Sequence, residues 1–220
     1  MTGTLIGYDP GGQDNHGLAL ADVRDGHVVT VTTERLPHAG AVLKAILALD
    51  SPLGLGIDTL TCWSTSRVGY RPGDRWLRAR DKYRRVKGSV VAPNALRGSM
   101  STNGMAVLIA VRQKWHDIRV TETHPKVLYY AGCETVWHFT DKASDMTSRL
   151  NHWLDAKIEP KGEAMSEHEW DAAISVLPVI HGLDGSWKLD LHTLPTTSDE
   201  RLVKPCGETH YFWPPDGWSG

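Results

Sequence analysis

A chain of 220 residues that is 40% hydrophobic can bury a sizeable core as one domain, so disorder is not its default state. A formal net charge of -2 excludes a globally basic nucleic-acid binder and makes local charge the informative quantity. Cys62, Cys133 and Cys206 show neither CxxC spacing nor a disulfide framework, no apolar run reaches membrane-spanning length, and the N-terminus enters its first apolar run without a basic leader. These features give the expectation of a soluble, cytoplasmic protein in a reducing compartment.

Leu5 to Asp9, His16 to Val23 and His27 to Thr33 read as strands, the second and third joined by the turn Arg24-Asp25-Gly26, so three antiparallel strands open the domain. An Ala/Leu-rich helix over 39–49 and a strand from Leu53 to Asp58 follow, which changes hairpins into a crossover and makes the sheet mixed. Residues 59–98 read as an inserted basic segment with a helix from about Asp74 to Val86. Then come a helix from Met100 to Trp115, a strand from Ile118 to Glu122, a helix opening at Pro125, and an amphipathic helix from Ala143 to Lys157. Ser166 and Glu169 have capping-box spacing ahead of a helix that runs through His181. From this the domain is expected to span 1–183, with 184–220 a Pro/Trp-rich arm packed on it and a late strand in Glu208 to Trp213.

Four carboxylates end or open these elements. Asp9 is followed by Pro10-Gly11-Gly12, which breaks the strand and leaves little steric bulk around it. Asp58 closes the apolar run Leu53-Gly54-Leu55-Gly56-Ile57, where a carboxylate must be paired, hydrogen-bonded or metal-bound, and Glu122 closes the next strand on the same logic. Asp171 lies on a helix continuing Ala172-Ala173-Ile174 and faces the core. Taken singly, a carboxylate at a strand end is more often a turn or cap residue than a ligand. Gathered at one sheet end, they repel one another, and Mg²⁺ or Mn²⁺ is the neutraliser suited to oxygen ligands. His124 and His168, beside Glu122 and Asp171, are candidates for a proton shuttle or for satisfied surface histidines. Cys62, with no base fixed beside it in sequence, reads as a small buried residue.

The order and spacing of these motifs resemble the DUF429 family of ribonuclease H-like proteins and, more distantly, the Holliday-junction resolvases, whose first strand also carries Asp-Pro-Gly. The likeness runs over the Asp9 strand, the Ile57-Asp58 strand end, the segment from Asp74 to Arg85, Glu122-Thr123-His124-Pro125, Asp171-Ala172-Ala173 and the aromatic ending Glu208 to Pro214. It implies an α/β fold: a ribonuclease H-like mixed five-stranded sheet in the order 3-2-1-4-5 with helices on both faces, the Asp9 strand lying beside the Asp58 strand. Two departures stand out. Thr59-Leu60-Thr61 follows Asp58 where the family usually places a Pro, and His168 stands where a second acid is common on the last helix.

Between Arg67 and Lys87 lie Arg67, Arg71, Arg75, Arg78, Arg80, Lys82, Arg84, Arg85 and Lys87 against only Asp74 and Asp81. Such a run is a solvated helix face or, next to acidic strand ends, a grip on a phosphate backbone. Arg67, Arg71, Arg75, Arg78, Arg84 and Arg85 are the binding candidates, with Asn94, Arg97, Ser99 and Ser101 as further phosphate contacts. The expectation is a metal-dependent nuclease using Asp9, Asp58, Glu122 and Asp171 on DNA or RNA, with no membrane partner and a homodimer left open. The rival is a ribonuclease H-like module that binds nucleic acid, nucleotide or protein without turnover.

Overall fold

The computed structural model describes residues 1–92 and 98–219. Its centre is a six-stranded sheet. Strands β1 (Gly3–Asp9), β2 (His16–Arg24) and β3 (His27–Leu36) form an antiparallel meander, and α1 (Ala39–Leu47) carries the chain back to β4 (Gly54–Ile57), parallel to β1. Beyond β5 (Trp63–Ser64), α2 (Pro72–Ala79) and α3 (Gly98–Lys114), β6 (Arg119–Glu122) pairs parallel to β4. These five strands lie in the order 3-2-1-4-5 that the resemblance implies, with helices on both faces. A sixth, β7 (Ile158–Pro160), adds parallel to β3 at the edge; its three residues are too short for alternation to show.

Helices α4 (Pro125–Cys133) and α5 (Phe139–Leu154) precede β7, and α6 (Glu167–Ile174) and α7 (Val176–Asp184) follow it. The chain then forms β8 (Leu189–Asp190), β9 (Leu202–Val203) and β10 (Phe212–Trp213). β10 pairs with β8, β9 pairs with β5, and His210 forms a single parallel bridge to Thr121 of β6. No helix among the described residues is long and apolar enough to cross a membrane.

The period of two along β1 divides the core. Ile6 and Tyr8 pack with Leu55, Ile57 and Val120 against α1 and α3, whereas Leu5 joins Ala19, Ala21 and Val31 under α4 to α7. On that second face the α6–α7 backbone touches the sheet itself. A Cβ on Gly7 would lie 1.9 Å from the carbonyl oxygen of Ala172, and one on Gly56 would lie 1.8 Å from that of Ser175. Glycine is required at both positions for this close approach.

Two helices end sooner than periodicity suggests. The helix of the basic segment stops at Ala79, because Arg80 is extended (φ -82°, ψ 128°) and the chain continues as a 3-10 turn over Asp81–Tyr83. That break turns Tyr83 into the core, where its hydroxyl accepts a hydrogen bond from Trp213 Nε1 at 3.0 Å. The helix expected through His181 divides at Ser175, since Pro178 has no N–H to give the carbonyl of Ile174.

Candidate metal centre

β1 ends on Asp9 and β4 ends one residue before Asp58, whose N–H donates to the Tyr8 carbonyl at 3.0 Å, so the two carboxylates leave adjacent parallel strands side by side. Asp171 comes from α6, where the Ser166–Glu169 capping box sets the first turn and Gly7 and Gly17 admit the helix backbone. One oxygen from each of Asp9, Asp58 and Asp171 lies within 4.8 Å of the others. Asp9 and Asp171 are buried and Asp58 is half-buried.

The electrostatics of this triad are unfavourable without a cation. Burial, and then the charge of Asp9, push the carboxyls of Asp58 and Asp171 well above their usual range. Burial raises Asp9 as well, against the opposing hydrogen bond from His168 Nδ1 to its Oδ2 at 2.5 Å. Asp171 Oδ1 is enclosed and makes no hydrogen bond to a described residue. An orphaned carboxylate oxygen in an all-oxygen donor set is what a hard divalent ion satisfies, so these residues fit Mg²⁺ or Mn²⁺.

Lys126, which the sequence did not single out, lies beside the triad. Its ammonium pairs with Glu167 at 3.0 Å, and its charge opposes the raised carboxyl values of Asp9, Asp58 and Asp171. The signal was present in Pro125 at the first helical position, which places the next residue on the first turn beside the strand ends.

Glu122 is not brought into this group. In the sheet it registers with Ile57 and, through Ile57, with Tyr8, one position short of Asp9 and Asp58; Thr123 stands level with Asp58 and is hydrogen-bonded through its hydroxyl to Ser175 at 2.7 Å. Because side chains alternate, that one-residue offset sends Glu122 into a separate buried network. There it accepts from both terminal nitrogens of Arg71, and from the Thr61 N–H at 2.9 Å and hydroxyl at 3.0 Å, with His192 Nε2 at 3.5 Å. Burial alone would raise its carboxyl, but Arg71 and His192 hold it well below the usual range. In the same network burial opposes the charge on His192, yet contacts with Cys62 and Glu122 carry its pKa to about 10. Cys62 is fully buried, its sulfur 3.7 Å from His192 Nε2.

The two histidines part in the same way. His168 is partly exposed and contacts Asp9, which raises its pKa. His124 is buried, stacked on Tyr211 with ring centroids 5.4 Å apart, and burial lowers its pKa.

Of the basic segment, Arg71 is enclosed between Asp74 and Glu122, and Arg75 pairs with Glu200, which also accepts from Ser64. Arg78 donates to the carbonyls of Lys87 and Val90 at 2.6 and 3.0 Å and lies over the Tyr70 ring. Arg67, Arg84 and Arg85 are exposed. Asn94, Arg97 and the side chain of Ser99 lie outside the described residues, and Ser101 sits within α3.

No family model and no curated protein matches the chain. Solved structures similar to it include RuvC of Thermus thermophilus in complex with a Holliday junction substrate, at 11% identity with a TM-score of 0.45, and Thermus thermophilus RuvC, at 12% identity with a TM-score of 0.43. Each alignment covers 83% of this chain and 96% of that one.

Proposed function

We propose that the protein is a metal-dependent phosphodiesterase that cleaves nucleic acid, with Asp9, Asp58 and Asp171 as its metal ligands. The observation that carries this reading is the convergence of three carboxylates within 4.8 Å, one of them with a buried oxygen that no described residue hydrogen-bonds. A divalent cation bound there supplies Lewis-acid polarisation of a phosphodiester and a nucleophile at neutral pH. Asp9 is the central ligand because its charge acts on the carboxyls of both Asp58 and Asp171 and it alone of the three is bonded to His168. His168, bonded to Asp9 and reachable by solvent, holds a proton that it can pass to a leaving oxygen. Lys126 offers its positive charge to a phosphate at the same edge, and Arg67, Arg84 and Arg85 are the exposed cations available to the backbone beyond it.

A second reading, a module that binds nucleic acid without turnover, is favoured by the withdrawal of Glu122 into the Arg71 network, which leaves three carboxylates rather than four. The two separate on a panel of labelled single-stranded, duplex, hybrid and branched DNA and RNA incubated with the protein in Mg²⁺ or Mn²⁺. Cleavage of any member, abolished by chelator, supports the phosphodiesterase and names its substrate; binding without cleavage on every member supports the module.

A further inference from the structure

Next to the triad lies a cleft of about 180 Å³, with Asp58 among its lining residues. Leu60, Val91, Met100 and Val127 give it apolar walls, and Asp58, Thr59, Ser89, His124 and Lys126 give it a polar side. Drug-sized ligands occupy pockets of ~300–1,000 Å³, so this cleft is matched to something smaller, on the scale of a single ring system. Its apolar lining suits the faces of a ring better than a bare phosphate, which a fully polar cradle would serve.

Two further features turn the cleft toward a nucleotide. The first residues of α4, a nine-residue helix, line it, so the positive end of that helix and the Lys126 ammonium, which also pairs with Glu167, favour a phosphate beside it. Independently, His124 lines the same cleft and is 6% exposed; its Nδ1 is enclosed on the Glu122 side, 3.8 Å from Oε1, and makes no hydrogen bond to a described residue. An imidazole ring beside apolar walls gives the cleft an aromatic side for contact with a base.

We infer that this cleft receives one unpaired nucleobase of the nucleic acid, placing the adjoining phosphate at Asp58. The inference rests on the phosphodiesterase reading and narrows its substrate to nucleic acid with an unstacked nucleotide at the cutting position. A fully stacked duplex keeps every base out of reach, and extruding one costs a few kcal/mol, least where the base is already unpaired.

The test uses three labelled DNA duplexes of one sequence: one with a single unpaired nucleotide, one with an abasic unpaired site at that place, and one fully paired. Binding is read by anisotropy with chelator present, on wild type, Val91→Trp and Met100→Trp. Both substituted positions are only partly buried, so a large ring can fill the cleft while the fold, checked by thermal melting, is kept. Wild type is expected to prefer the unpaired base over the abasic site by about tenfold, the value of one base contact. At least one tryptophan variant should lose that preference while keeping its affinity for the paired duplex. Equal binding of the base-bearing and abasic duplexes by wild type, or an undiminished preference in both folded variants, overturns the cleft while leaving the nuclease reading intact. Absence of binding to all three, with no cleavage in Mn²⁺, overturns both.

Discussion

Arg71 donates through both terminal nitrogens to the two oxygens of Glu122 where neither side chain meets solvent, and the same guanidinium holds Asp74. The pair joins α2 to the end of β6. Through Thr61 it also fastens the chain that leaves Asp58, and through Thr209 and His192 it reaches the C-terminal segment. Removing one partner strands a buried charge, so Glu122→Gln or Arg71→Met is expected to cost ~3–5 kcal/mol in urea denaturation. If Glu122 is structural, the Mn²⁺ affinity of folded Glu122→Gln protein, measured by calorimetry, stays within about threefold of wild type, well inside the tenfold that 1.4 kcal/mol represents.

The carboxylate triad gives the opposite sign. With Asp9, Asp58 and Asp171 crowded together, Asp58→Asn or Asp171→Asn relieves repulsion and raises the melting temperature in chelator, while lowering the further rise that Mg²⁺ produces. For wild type, Mg²⁺ at a hundred times its dissociation constant is worth ~2.7 kcal/mol. A variant that is less stable than wild type in chelator contradicts the crowding.

The pH dependence follows from the same shifts. Asp58 and Asp171 have folded-state values above their ordinary 3.8, so the folded protein binds more protons than the unfolded chain above that pH. Their contribution to stability is present at acid pH and is lost as pH rises through the raised values. Metal-free protein should therefore lose stability from about pH 4 upward from this source, and Mg²⁺, which competes with those protons, should restore more at pH 7.5 than at pH 5. Melting curves with and without Mg²⁺ at the two pH values check this; Glu122, with its depressed value, works in the reverse sense and is unaffected by Mg²⁺.

Gly7 sets the spacing of the centre. An added Cβ would meet the Ala172 carbonyl oxygen, which must shift to admit it, and Asp171 is the preceding residue. Gly7→Ala should cost about 1–3 kcal/mol and also weaken Mn²⁺ binding, whereas a purely structural role would move stability alone. Calorimetry on the folded variant distinguishes the two.

Arg84→Glu and Arg85→Glu change exposed side chains and should leave the melting temperature unchanged. If they grip the backbone, duplex affinity falls and the slope of log affinity against log salt drops by about 0.9 for each phosphate no longer neutralised. Arg71, enclosed as it is, should show the converse pattern of lost stability.

The order of the five main strands was legible because the hairpin signal, the crossover helix and the apolar strand β4 are each locally encoded, and the family resemblance supplied their arrangement. Asp9, Asp58 and Asp171 were legible for a related reason: each sits at an element end that turn or capping residues mark. That Glu122 stands apart from the triad was not legible, because ending a strand does not fix which face a side chain takes; only its pairing with Ile57, a non-local fact, places it with Arg71. Charge density likewise overstated the surface role of Arg71 and Arg75, whose partners Glu122 and Glu200 lie 51 and 125 residues away. The division of the last helix at Ser175 was readable from Pro178, and the apolar continuity of Val176 to Ile180 concealed it.

The most direct test of the metal-centre account is cleavage by wild-type and Asp9→Asn protein, side by side, of the best substrate on the panel in Mn²⁺ and in chelator. The account predicts cutting by wild type in Mn²⁺ alone, with Asp9→Asn folded, able to bind the substrate and inert. Undiminished cutting by Asp9→Asn, or cutting by wild type in chelator, would contradict it.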